Sequence, residues 1–91
     1  MSQTDKKDEV ITEIVGALSV RVILYNDDAH TFDAVTSILI AATGCSSRKA
    51  FYHAYNVDKS GHDIVYSGDM EKAIQVSSII ESIGLKTAIV A

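Results

Sequence analysis

A chain of 91 residues holds enough material for one hydrophobic core and too little for two, so a single small domain is expected. Its net charge of -4, with 47% hydrophobic and 22% charged residues, fits a soluble globular domain and supplies no basic stripe for nucleic acid. No apolar run approaches the roughly 20 residues of a membrane span, and no apolar signal segment follows Met1 to Asp8, which points to a cytoplasmic protein without membrane partners.

Residues 1–8 are polar, with mixed charges and no apolar period, and read as a mobile tail. From Glu9 to Leu18 the apolar positions Val10, Ile11, Ile14, Val15 and Leu18 suit a helical stripe and a β-branched strand equally well. That stretch is expected to be an arm over the domain, so residues 1–18 form the tail and arm and residues 19–91 the core domain. Val20 to Tyr25 is β-branched, aliphatic or aromatic except at Arg21, the pattern of a strand with Val20, Val22 and Leu24 on one face. It stops at Asn26, Asp27 and Asp28, whose short side chains bond nearby amides in turns.

Thr31 suits a helix N-cap, Phe32, Val35, Ile38, Leu39 and Ala42 follow at helical spacing, and Gly44 stands where a left-handed terminating residue belongs. Ser46 or Ser47 caps a second helix in which Ala50, Phe51, Ala54 and Tyr55 are expected to share the apolar face, before Gly61 ends it. A short strand runs from His62 to Tyr66. Ser67, Asp69 and Glu71 then mark the start of a third helix whose buried face is predicted at Ala73, Val76, Ile79, Ile80 and Ile83, closed by Gly84. Leu85 to Val90 is the last strand. The order β-α-α-β-α-β in so short a chain predicts a two-layer α/β sandwich, a three-stranded antiparallel sheet carrying three helices on one face.

Few residues here suggest covalent or metal chemistry. Cys45 stands alone and reads as a small apolar residue near a helix start, while His30, His53 and His62 lie on three different elements without ligand spacing. No metal and no cofactor is expected. The chemistry lies instead in Asn26, Asp27 and Asp28, hydrogen-bond acceptors fixed at the end of an apolar strand and suited to holding a cation.

Val22 to Asp28, followed by Phe32, Asp33 and Val35, resembles the signature of the ClpS family, adaptors that bind proteins by their amino-terminal residue and hand them to a AAA+ unfoldase of the Clp protease. The likeness continues through Ala50, Val57 and Gly61, resumes at Lys72, Gln75 and Val76, and covers roughly residues 20 to 90. It implies a non-enzymatic adaptor in which Asn26 and Asp28 grip the substrate's α-amino group, with Asp27 adding negative field. The first side chain, a large hydrophobic one, would enter a pocket lined by Phe32, Val35, Ala54 and Val57. It also implies two partners, the unfoldase and substrate proteins. The tail from Met1 to Asp8 would serve delivery, and the surface around Lys49 would serve docking.

Where the family usually places a histidine to complete the amino-group cage, this chain has Asp58, or Asn56 if the match shifts by two residues. Asp58 is still able to accept a bond from an ammonium, and its repulsion against Asp27 and Asp28 is expected to raise at least one carboxylate pKa. The usual proline is Thr31, and the gatekeeping apolar residue, often methionine, is Phe32, a stiffer group that predicts altered side-chain preference. Two rival readings remain open. One is a ClpS-fold interaction module without amino-terminal recognition; the other is a receiver-like phosphoacceptor domain, with Asp27 and Asp28 as its acidic edge, Asp63 to Tyr66 echoing its third strand and Asp69 nearest the phosphoaccepting position.

Overall fold

The computed structural model describes residues 19–91, so the tail and arm expected over 1–18 lie outside the described residues. The elements follow the expected order: strand β1 Ser19–Tyr25, helix α1 Phe32–Thr43, helix α2 Ser47–Ser60, strand β2 His62–Asp69, helix α3 Met70–Glu81 and strand β3 Thr87–Val90. β1 sits in the middle of the sheet and pairs antiparallel with β2 on one side and β3 on the other. Its side chains alternate as a half-buried strand requires, Val20, Val22 and Leu24 facing inward and Arg21 and Tyr25 outward.

The helices lie over that inward face. α3 packs across all three strands, α1 lies against α2 and α3, and α2 abuts β2. The core between the layers gathers Val20, Val22, Leu24, Leu39, Ala42, Ala50, Val57, Val65, Ala73, Val76, Ile80 and Leu85. A polar pair joins α2 to β2 at this interior: the buried His53 places Nδ1 2.5 Å from Asp63 Oδ2. Because the carboxylate accepts, Nδ1 carries the proton, and the opposite nitrogen is buried without a partner.

Each helix begins on a side chain that accepts from the first turn. Thr31 takes the Ala34 N–H, Ser46 the Lys49 N–H, and Asp69 the Lys72 N–H, each at 3.1 Å. α1 and α2 end on glycines in the left-handed region, Gly44 at φ 72 and Gly61 at φ 88. Gly61 has a second task, because its carbonyl accepts the Asn26 N–H at 2.9 Å and so ties the end of β1 to the end of α2.

Several boundaries and faces differ from the sequence reading. β2 runs on to Asp69, because Ser67, Gly68 and Asp69 pair with Arg21, Val20 and Ser19 despite their polar character. Of the residues expected to mark the start of α3, Asp69 is the cap and Glu71 lies in the first turn, while Ser67 belongs to β2. The register between β1 and β2 slips after Val22, where Val65 is the extra residue of a bulge. β3 begins at Thr87, while Leu85 is buried in the connection before it. α3 ends at Glu81, three residues before Gly84.

The predicted apolar face of α2 is also turned. Ala50, His53, Ala54 and Val57 form the buried stripe, whereas Phe51 and Tyr55 stay 58% and 49% exposed and, with Tyr52 and Arg48, form an outer aromatic face. On α3 the inward positions are Ala73, Val76, Ser77 and Ile80, leaving Ile79 and Ile83 half-exposed. Ser77 faces the core because its hydroxyl meets the Thr87 hydroxyl of β3 at 2.5 Å.

Two stability measurements test this architecture. Gly61→Ala forces a side chain into left-handed backbone and should lower the unfolding free energy by about 1–2 kcal/mol, and Leu39→Ala, at a fully buried site, by about 2–5 kcal/mol. Both are read by denaturant titration. A Leu39→Ala loss below that of Gly61→Ala would contradict the core as described.

Candidate functional site

A recess opens where the end of β1, the start of α1 and the last turns of α2 converge. It is lined by Asn26, Asp27, His30, Phe32, Val35, Ala54, Val57 and Asp58, and holds about 340 Å³ of empty space, part of it continuous with solvent. Because that volume includes open solvent, the recess is an open hollow rather than an enclosed cavity.

The residues arrive from three directions. Asn26 follows the last residue of the central strand and is fixed by its N–H bond to Gly61. Phe32 and Val35 stand one turn apart at the start of α1, held by the Thr31 cap. Ala54, Val57 and Asp58 share one face of α2 at spacings of three and four. Ala54 and Val57 are buried at the base, Phe32 stands at the rim, and Asp58 is exposed beside the polar corner. The ring of Phe32 is braced edge-on by Phe51, with centroids 4.9 Å apart and planes at 62°.

Of the eight residues singled out from the sequence, seven line this recess. Asp28 is the exception: it is exposed and outside the lining, whereas its neighbour Asp27 points in. Asn56, the other position considered for the family's histidine, turns away, with its amide 3.4 Å from Asp63 Oδ2.

His30 is the lining residue that sequence reasoning assigned to structure alone. Its main partner, the Ile83 carbonyl, lies 53 residues further on and is invisible to local pattern; the available signal was the spacing of Asp27 and His30, three apart in one turn. Asp27 Oδ1 accepts the N–H groups of Ala29 and His30 at 3.2 and 3.1 Å, the geometry of an Asx turn. Its Oδ2 lies 2.6 Å from His30 Nδ1, while His30 Nε2 lies 2.5 Å from the Ile83 carbonyl oxygen. A carbonyl only accepts, so Nε2 carries a proton; an ionised Asp27 requires one on Nδ1 as well, which makes the ring an imidazolium.

The acid–base shifts agree with that assignment. The Ile83 carbonyl and the Asp27 carboxylate hold the His30 pKa above its ordinary 6.5, outweighing the opposing effect of burial. Burial pushes Asp27 up, yet the hydrogen bonds and charge of His30, with the bond from Ala29, bring it below its ordinary 3.8. For Asp27 the shift thus runs opposite to the carboxylate repulsion expected from sequence, because a cation stands beside it.

The two acidic residues of β2 are engaged elsewhere. Asp69 accepts the Lys72 N–H and the Tyr66 hydroxyl, and Asp63 is engaged by His53. Asp69 pairs with Ser19, at the far end of β1 from the Asn26 turn, so the acidic residues of the receiver-like reading do not meet at one edge. Among the described residues, no three His, Cys, Asp or Glu side chains are grouped as a metal would need, and no helix is long and apolar enough to cross a membrane.

Comparisons with known proteins place this geometry in context. The E3 ubiquitin-protein ligase UBR2 of Homo sapiens is 34% identical over 58 residues, and that of Mus musculus 33% identical over the same length. Each match covers 64% of this chain and 3% of the ligase, so the chain corresponds to a small part of those proteins. Among solved structures, Agrobacterium tumefaciens ClpS2 bound to L-phenylalaninamide has the same fold, with a TM-score of 0.73 at 19% identity over 78% of this chain and 93% of that one. The profile of the ATP-dependent Clp protease adaptor protein ClpS matches residues 17–87, and the chain, with its three helices laid over a three-stranded antiparallel sheet, belongs to the ClpS family.

Proposed function

We propose that this protein binds the free amino-terminal residue of other proteins and delivers them to an ATP-dependent Clp protease, acting as a cytoplasmic adaptor without catalysis of its own. The observation that carries the reading is a single recess with a polar corner, Asn26, Asp27 and Asp58, joined to an apolar hollow, Phe32, Val35, Ala54 and Val57. A chain terminus beginning in a large hydrophobic residue has the matching halves: an ammonium with three donors and, one bond away, an apolar side chain. L-phenylalaninamide, bound to the fold neighbour ClpS2, is a molecule of that kind.

The energetics suit a carrier. Charge-assisted hydrogen bonds contribute about 1.5–3 kcal/mol each and one buried side chain about 1.5–3 kcal/mol, against an association cost on the order of 4–15 kcal/mol. The balance is a reversible contact that releases its cargo. The Clp unfoldase is the partner that family membership supports, and the surface around Lys49 on α2 is our assignment for its docking.

The second reading is an interaction module that keeps the fold without amino-terminal recognition. Its supporting observation is Asp58, exposed on the recess where the family's histidine is expected.

Titration with a peptide beginning in phenylalanine, beside its acetylated twin, separates the two. Acetylation removes the cation and keeps the side chain, so the adaptor reading expects affinity to fall about tenfold or more, one charge-assisted bond's worth. Equal affinity for the twins would favour the module. Asn26→Ala should cost the free peptide a similar factor while leaving the thermal transition within a few degrees, since its backbone bond to Gly61 is retained.

A further inference from the structure

We infer that His30 is a positioning residue of this recess: bonded through both ring nitrogens, it ties Asp27 to the turn after α3 and cancels that carboxylate's charge, leaving Asp58 to meet an incoming ammonium. The inference rests on the amino-group reading above and specifies which charges perform it.

The geometry supplies the bridge. The loop between β1 and α1 is anchored at one end by the Asn26 N–H on the Gly61 carbonyl. At the other end His30 spans from Asp27 Oδ2, 2.6 Å away, to the Ile83 carbonyl, 2.5 Å away. A neutral imidazole has one N–H and cannot donate to both. Loss of either proton therefore opens one half of the bridge.

The charges around His30 are few. From its own loop it faces Asp27, with Asp28 exposed beyond. The turn after α3 offers the Ile83 carbonyl and the Gly84 backbone, so close that a Cβ on Gly84 would stand 3.6 Å from the ring. From α2 the charged lining residue is Asp58. Two carboxylates and one imidazolium leave a single net negative charge on the recess, the complement of one ammonium. Without the imidazolium, two unbalanced carboxylates would line an empty site and repel one another.

Asp27 cannot carry the same load. Both of its oxygens are engaged, Oδ1 by two backbone N–H groups and Oδ2 by His30, whereas Asp58 has no side-chain partner among the described residues. The histidine that the family resemblance expects on α2 is thus exchanged in place and in role. Here the carboxylate stands on the helix and the imidazole stands on the loop.

The pH dependence follows from the directions of the shifts. His30 is raised, so its contribution is complete below 6.5 and is lost as pH rises through the raised value. Asp27 is lowered, so its contribution is complete above 3.8 and is lost as pH falls through the lowered value. The bridge is whole between those limits. The peptide ammonium itself titrates near about 7.7–8.0, so the amino group's own pKa must be measured beside the protein's.

The experiment is binding of the free phenylalanine peptide and its acetylated twin to wild type, His30→Gln and Asp58→Asn, from below pH 6.5 to above the peptide's own pKa. Expected are a wild-type loss of affinity additional to the ammonium titration, its absence in His30→Gln, and a loss of about tenfold at every pH in Asp58→Asn. An NMR titration of wild type supplies a readout free of mutational misfolding: the Ile83 and Gly84 amides should shift with the His30 ring. A His30→Gln profile that superimposes on wild type, or Ile83 and Gly84 amides indifferent to His30, overturns the role of His30 while leaving amino-terminal binding intact. An unchanged Asp58→Asn overturns the role of Asp58. Wild type that fails to distinguish the two peptides at any pH overturns the parent reading and this one with it.

Discussion

Everything at the recess depends on how β1 is held. Its inner face, Val20, Val22 and Leu24, is sealed under the helices, and both of its edges are hydrogen-bonded, to β2 and to β3. A strand fixed in all these directions has no freedom of register, because a slip of one residue would turn its apolar set outward. The residue leaving it, Asn26, inherits that rigidity through the bond to Gly61. A short polar turn in a small protein would ordinarily be among its least ordered parts; here it begins at the stiffest point of the sheet.

The acidic character of that turn would be a liability in an isolated loop. The structure handles it by sharing: Asp27 is consumed by local amides and by an imidazolium that reaches across to the turn after α3. A comparable device operates in the interior, where His53 and Asp63 join α2 to β2. Burying one such pair costs desolvation that its own attraction only partly offsets, so its value lies in fixing how α2 lies on the sheet more than in net stability. The second pair joins neighbouring elements, whereas His30 reaches from its own turn to Ile83, 53 residues away.

Much of this was legible in the chain because capping and turn chemistry are local. Thr31, Ser46, Gly44 and Gly61 announce helix ends through side-chain acceptors and left-handed backbone, and each stands where the sequence placed it. The alternation of β1 was legible for the same reason. Misread features depend on distant partners. Phe51 and Tyr55 look like core by composition, but which side of a helix faces inward is decided by what packs on it, and the small Ala50 and Ala54 allow the close approach. Ser67, Gly68 and Asp69 look like loop, yet pairing with the first half of β1 draws them into the sheet. At the recess, seven lining positions were accessible from pattern and resemblance together, while His30 was not, since its bond to Ile83 has no sequence signature.

Phe32 and Phe51 have a consequence for how such a recess is able to diversify. The wall of the hollow is a rigid ring whose angle is set by a second ring on the outside of the molecule, in contact with water. Phe51 is more than half exposed, so substitutions there escape most of the constraints that burial imposes on Ala54 or Val57. A surface position thereby acts as a set-screw for an interior dimension, and the aperture can be retuned from without while the chemistry at its base stays the same.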